Sequence, residues 1–329
     1  MDVSSLKRLE WIDWMKALGI YLIVLGHFYS IGEKFIYVFH VPLFFVISGI
    51  LCKKESDSHL FWRKLWYNLA VPMLIMSVLN FLYYCILKLS HGTFEPIYIY
   101  WFVRDLLVGM ESAYDSLWFV YTLILLKIIY QFCSSKRLFY VLIVVMLAFA
   151  YIYNHVDRLG YPFFLKEPNC FFNVFTAYPF FALGLFARDY KTMLHEWTNK
   201  GTLVCAFIGG LLLVISSCYF NDKVDMFSCG YGGNMLWFLT GAIAGTMMIF
   251  AASKLLGHAP KLVTVISRGT IVILGFHKLL IFRGFMTTPY LDIVYAALIV
   301  ILFIPVILAI ERYCPLMIGK YRIRKNPEN

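Results

Sequence analysis

The chain has 329 residues, of which 61% are hydrophobic, 19% aromatic and only 15% charged. Soluble domains run at about 45–50% apolar and about 25% charged, so a soluble globular protein is excluded and a multi-spanning membrane protein is indicated. A net charge of +10 would suggest a nucleic-acid partner in a soluble protein, but the basic residues lie mostly in short segments between apolar runs, the pattern of cytosolic loops, so no nucleic acid is expected.

No window alternates like a barrel strand, which leaves helices as the spanning element. The first ten residues, "MDVSSLKRLE", resemble a signal peptide only superficially. The apolar run behind them is interrupted by Asp13 and Lys16 and lacks a small-x-small cleavage site, so a retained first helix is expected over about 12–30. That helix contains "IDWMKALGIYLIVLGH", Ile12 to His27. Lys16 and His27 are eleven residues apart, close to three helical turns, so both project from one face about 16 Å apart. Asp13 shares the face. Charges in mid-membrane cost a few kcal/mol or more and normally face a bundle interior or a wet cavity. The alternative is an interfacial Asp13/Lys16 pair with His27 hydrogen-bonded in the interior.

A second span, about 36–52, carries "FHVPLFFVISG", with His40 near its outer start and Ser48 near its cytosolic end. The intervening loop is short, so the two helices are antiparallel neighbours and His27 and His40 can approach one another. The cytosolic "KKESDSHLFWRKLWYNLAVP" then places Lys53, Lys54, Arg63 and Lys64 at the inner mouth of this pair. They either enforce topology or grip phosphates. A third span follows at about 66–88. The long outer loop, about 89–116, holds "IYIYWFVRDLLVG" with Arg104, an interfacial or re-entrant stretch. Further spans are expected at about 117–133 (containing Trp118), 138–154, 171–187, 202–220, 234–252, 268–284 (containing His277) and 291–311. Loops assigned to the cytosol carry 18 Lys and Arg against 7 outside, which puts both termini in the cytosol. The fold class expected is therefore all-α: one polytopic membrane bundle, 1–329, of about ten transmembrane helices, with no appended soluble domain. The eight Cys form no CxxC pair and are expected to be small buried residues; a Cys170–Cys229 bridge between outer loops is the alternative. The basic C-terminal "GKYRIRKNPEN" suits inner-leaflet lipid.

Several of these segments resemble the acyltransferase 3 family of integral membrane acyltransferases. The family opens with a basic residue, ten intervening residues and a histidine, usually Arg-x10-His; this chain has Lys16-x10-His27. The preceding "WIDWMKALGI" and the "VLGH" ending are closest to the fucose 4-O-acetylase-like and polysaccharide O-acetyltransferase branch, where Lys is common. "FHVPLFFVISGIL" is similar to Phe-His-Met-Pro-Leu-Phe-Phe…Ser-Gly, with Val41 for Met. "FWRKLWYNLAVP" looks like the family's basic segment, with Asn68 where Ser or Arg is often found, and "LWFV", "YPFFALGLFAR" and "ISRGTIVILGFH" resemble weaker later motifs. The likeness spans nearly the whole chain.

The resemblance implies a ten-helix bundle in a bacterial inner or plasma membrane. It also implies transfer of an acyl group, usually acetyl from acetyl-CoA, to a carbohydrate hydroxyl, on an exopolysaccharide or lipid-linked glycan. A hydroxyl needs a base to attack a thioester, and histidine has the appropriate range. His27 is expected to be that base, with His40 orienting it or contacting the acceptor; an acyl-histidine carrier is the runner-up. Asp13 would fix the stripe or act directly. Coenzyme A phosphates would sit near Lys16, Arg63 and Lys64, with Ser48 close by. Trp118, His277 and Arg104 are the acceptor contacts expected. No metal motif such as HExxH is present, and no metal is expected. Membrane lipid is a partner, and a homo-oligomer is left open. The rival class is a transporter or flippase of a glycan precursor, which should show repeated halves with interrupted helices; no such repeat is seen.

Overall fold

The computed structural model describes residues 9–29, 32–110, 115–155, 169–281 and 289–320. The expectations for "MDVSSLKRLE" up to Arg8, for the outer Arg158, Lys166 and Arg283, and for both chain termini fall outside the described residues. Among the described residues the structure is helical, with pairing limited to isolated bridges at Met110–Asn169 and Asp225–Gly230.

The helices are α1 (Glu10–Gly26), α2 (Glu33–Tyr37), α3 (His40–Leu51), α4 (Ser58–Leu65), α5 (Val71–Ser90), α6 (Ile97–Val108), α7 (Trp118–Phe132) and α8 (Lys136–His155). They continue with α9 (Cys170–Asp189), α10 (Lys191–Glu196), α11 (Lys200–Phe220), α12 (Met235–Leu256), α13 (Lys261–Arg268), α14 (Thr270–Phe276) and α15 (Pro289–Tyr313). Several start on side-chain caps: Asp57 accepts from His59 and Leu60 backbone N–H groups, Asn169 from Phe171, Asn199 from Thr202, and Asn234 from Leu236 and Trp237. Each satisfies N–H groups that a helix end leaves without partners.

Seven helical runs are long and apolar enough to cross a membrane, and a bent pair, Lys261–Arg268 with Thr270–Leu280 at 61°, would make an eighth. Of the ten spans expected, the remaining two are short: α1 has 17 residues and α7 has 15. At 1.5 Å per residue they reach about 22–26 Å, less than the roughly 30 Å hydrocarbon core. For α1 the environment explains this. Buried residues surround α1 on all sides (Trp11, Met15, Ile20, Val24), and it packs against α3, α12, α13, α14 and α15. An interior helix need not match the lipid. The periphery contrasts: α8 buries only Ala150, while Val144, Leu212 and Leu302 are exposed apolar side chains on α8, α11 and α15.

The third span also differs from expectation. It begins at Ser58, and the helical run continues to Ser90 through a π-helical turn, Trp66–Ala70. Pro72 has no N–H to return to the preceding turn, and a widened turn accommodates the missing bond. Arg63 and Lys64 therefore ride on α4 rather than on a loop. The outer "IYIYWFVRDLLV" is the regular helix α6, with Tyr100, Trp101 and Leu107 exposed.

The innermost contact is α3 against α9. A Cβ placed on Gly49 would lie 2.2 Å from the Phe181 carbonyl oxygen, and one on Gly184 2.1 Å from that of Val46. The two backbones touch, as small residues allow in membrane bundles. This contact holds α3, and with it His40 and Ser48, in place.

Candidate functional site

His27 caps the C-terminus of α1, and its Nδ1 lies 2.7 Å from the Ile23 carbonyl oxygen. His40 starts α3, with Nδ1 2.8 Å from Ile36 O. A carbonyl oxygen only accepts, so each Nδ1 carries a proton and donates it. Each neutral ring then keeps its lone pair on Nε2, the atom that can take a proton. Both imidazoles line one cavity of about 160 Å³. Tyr29, Tyr37, Ser116, Trp118, Lys223 and Asp225 line it too.

His277 is fully buried in a 3-10 turn that follows α14. Its Nδ1 donates to Ile273 O at 2.9 Å and Leu274 O at 3.0 Å, and its Nε2 stands 3.2 Å from His27 Nδ1. With its own proton on Nδ1, His277 accepts at Nε2 from the His27 N–H. The expected acceptor-contacting histidine thus lies behind His27, away from the cavity.

A second cavity, about 230 Å³, lies along α1 and α3 toward the end that carries Lys16 and Ser48. Both residues line it, together with Lys127 of α7 and a sleeve of Ile20, Ile47, Val120 and Leu123. Two ammonium groups and no carboxylate are among its described lining residues. The two cavities share Ile23, Phe44, Phe119 and Leu274 in their linings, so these four side chains lie where the cavities adjoin.

Other expected residues fall elsewhere. Asp13 is buried and accepts from Ser267 Oγ at 2.6 Å, tying α1 to α13. It sits fourteen residues before His27, about 21 Å along the helix, and the structure does not bring it to the imidazoles. Lys64 is ion-paired with Glu55 at 2.8 Å, and neither it nor Arg63 is among the lining residues of these two cavities. Arg104 binds Asp105, its Nη2 2.6 Å from Oδ1, and is not part of either lining. Cys170 and Cys229 are both free thiols, and Cys229 Sγ donates to Asn173 Oδ1 at 3.1 Å.

The cavity that holds His27 and His40 is roofed by the segment between α11 and α12. Asp225 and Gly230 exchange backbone hydrogen bonds of 2.7 and 2.8 Å, and Ser228 Oγ donates to the Asp225 carboxylate. Lys223 pairs with Glu33 at 2.6 Å and lies over the Tyr29 and Tyr37 rings. Phe227 stands 5.7 Å from Trp118, ring to ring. The sequence pattern did not single out Lys127, Lys223, Asp225 or Lys278. A signal existed for two of them: Lys127 and Lys278, like Lys16, fall inside expected spans, and all three line a cavity.

Apolar helices enclosing two stacked, polar-lined cavities define a multi-pass membrane protein with an internal site. The family model described as an acyltransferase domain, Acyl_transf_3, matches residues 9–312, and the chain belongs to the acyltransferase 3 family. No curated protein and no solved structure is similar enough to match it.

Proposed function

We propose that the protein is a membrane-bound O-acyltransferase that moves a short acyl group, acetyl from acetyl-CoA, onto a hydroxyl of a cell-surface or lipid-linked carbohydrate. One observation carries this: a cavity with Lys16 and Lys127 adjoins a cavity with His27 and His40, the two sharing four lining side chains. The inner cavity fits the donor. Its ammonium groups suit anionic phosphate, and its apolar sleeve suits a neutral pantetheine arm. Arg63 and Lys64 on α4 extend the basic surface toward the inner mouth. The outer cavity fits the acceptor, with Trp118 and Phe227 as stacking faces and Ser116, Asp225 and Lys223 as hydrogen-bonding groups.

In the reaction His27 Nε2 takes the proton of the acceptor hydroxyl as its oxygen attacks the thioester carbonyl carbon. The C–O bond forms, the C–S bond breaks, and the imidazolium returns the proton to the departing sulfur as free thiol. His40 Nε2 orients the acceptor. Asp13 acts as an anchor of α1 through Ser267, and His277 as a positioning residue behind His27. The protein would cross a bacterial inner or plasma membrane ten times, counting α1, α7 and the bent pair, with both termini inside; the 18-to-7 charge asymmetry supports that orientation. The opening motif favours the polysaccharide O-acetyltransferase branch.

The test is thiol release from acetyl-CoA by purified protein supplied with the carbohydrate–lipid extract of its host cells. Wild type should release thiol and label the extract, and His27→Ala should lose about 10²–10⁴-fold. Full activity in His27→Ala would overturn the assignment of the base. Acceptor movement across a vesicle membrane without thiol release would instead identify a transporter.

A further inference from the structure

Resting on the acyltransferase reading, we propose that the wall between the cavities is an acyl-size filter, set chiefly by Phe44 and Phe119, that admits acetyl and discriminates against longer or branched acyl groups. For the thioester carbonyl to meet His27 Nε2, the acyl group must pass from the Lys16 side to the imidazole side. Ile23, Phe44, Phe119 and Leu274, one side chain each from α1, α3, α7 and α14, line both cavities and stand where the two adjoin. All four are hydrocarbon side chains.

These side chains have little room to retreat. The Phe44 ring lies against the α1 backbone: a Cβ on Gly19 would be 2.8 Å from Phe44 Cε2 and 3.0 Å from Leu43 Cδ2. Phe119 meets Phe44 edge-on at 6.0 Å between ring centroids, and Phe45 closes behind it at 4.5 Å. Phe45 is itself fully buried. Three rings therefore brace one another against α1. Beyond the wall, the same two phenyl rings line the outer cavity, whose volume of about 160 Å³ has to take the acyl tail and the acceptor hydroxyl together. The wall limits the cross-section of what passes, and the outer cavity limits its length. A densely packed interior resists such displacement, and one methylene is already felt.

The experiment gives purified protein the host carbohydrate–lipid extract and offers acetyl-, propionyl- and isobutyryl-CoA in competition. The readout is the ratio of acyl groups incorporated. Wild type should favour acetyl over propionyl by about tenfold or more, the scale on which pockets discriminate one methylene. Phe119→Ala should shift the ratio by about tenfold toward propionyl and open the site to isobutyryl. Phe44→Leu and Phe119→Leu, milder changes for the case where the alanine variant does not fold, should shift it in the same direction. Val144→Ala, at an exposed side chain of α8 outside both linings, should leave the ratio at its wild-type value. Wild-type acetyl transfer with an unchanged ratio in all the wall variants sinks the filter alone. Absence of thiol release by wild type with any donor sinks the acyltransferase reading and the filter with it.

Discussion

His277 Nε2 stands 3.2 Å from His27 Nδ1, in a fully buried position that is not part of the cavity lining. The Nδ1–H of His27 is thus shared between the Ile23 carbonyl and a second imidazole, which fixes the ring and leaves Nε2 as its bare nitrogen. His277→Leu should lower kcat by about tenfold or more, short of the about 10²-fold minimum for loss of a base, with KM for acetyl-CoA unchanged. His277→Gln offers a carbonyl oxygen in place of Nε2 and should recover much of the loss. Equal defects in the two variants would point to packing alone.

Lys16 and Lys127 come from helices far apart in the chain and line the same cavity. Lys127→Gln should weaken binding of free coenzyme A about as much as Lys16→Gln, each by several-fold at low salt and less at high salt. Isothermal titration of detergent-purified protein with coenzyme A measures it. Unchanged affinity in Lys127→Gln would remove that residue from the donor site.

Asp13 and Ser267 tie α1 to α13 through a buried 2.6 Å hydrogen bond. Removing the hydroxyl deprives a buried carboxylate of a donor, and bonds to charged groups contribute about 1.5–3 kcal/mol. Ser267→Ala should lower the thermal midpoint in detergent while KM for acetyl-CoA stays at the wild-type value. A kcat defect without a stability defect would instead bring Asp13 into the chemistry.

Gly49 and Gly184 let α3 and α9 touch backbone to backbone. Gly184→Ala must push the helices apart, since the new methyl meets a carbonyl oxygen rather than a mobile side chain. Overpacking of this kind costs about 1–3 kcal/mol or more. A lower thermal midpoint is expected, and activity should fall further than for Ser267→Ala because α3 carries His40.

Much of this protein was legible in the residues alone. The apolar runs, the charge asymmetry and the Lys16-x10-His27 spacing follow from the bilayer's hydrocarbon and from 3.6 residues per turn, both of them local rules. They predicted a helical membrane bundle, a polar stripe on one face of α1 and two imidazoles brought together by a short connection, and the structure has His27 and His40 on one cavity and Lys16 and Ser48 on the next. Arg63 and Lys64 are conspicuous in the sequence; in the structure both ride on α4, and Glu55, nine residues before Lys64, pairs with it.

What only the tertiary structure decided is which distant residues share a space. Nothing in the spacing joins Lys127 to Lys16, His277 to His27, or Phe119 to Phe44, because each pair is made by helices packing across the bundle. Helical periodicity fixes the face a side chain occupies. Which neighbour meets that face depends on where backbones can approach, as at Gly49 and Gly184, and that is a property of the whole packed interior.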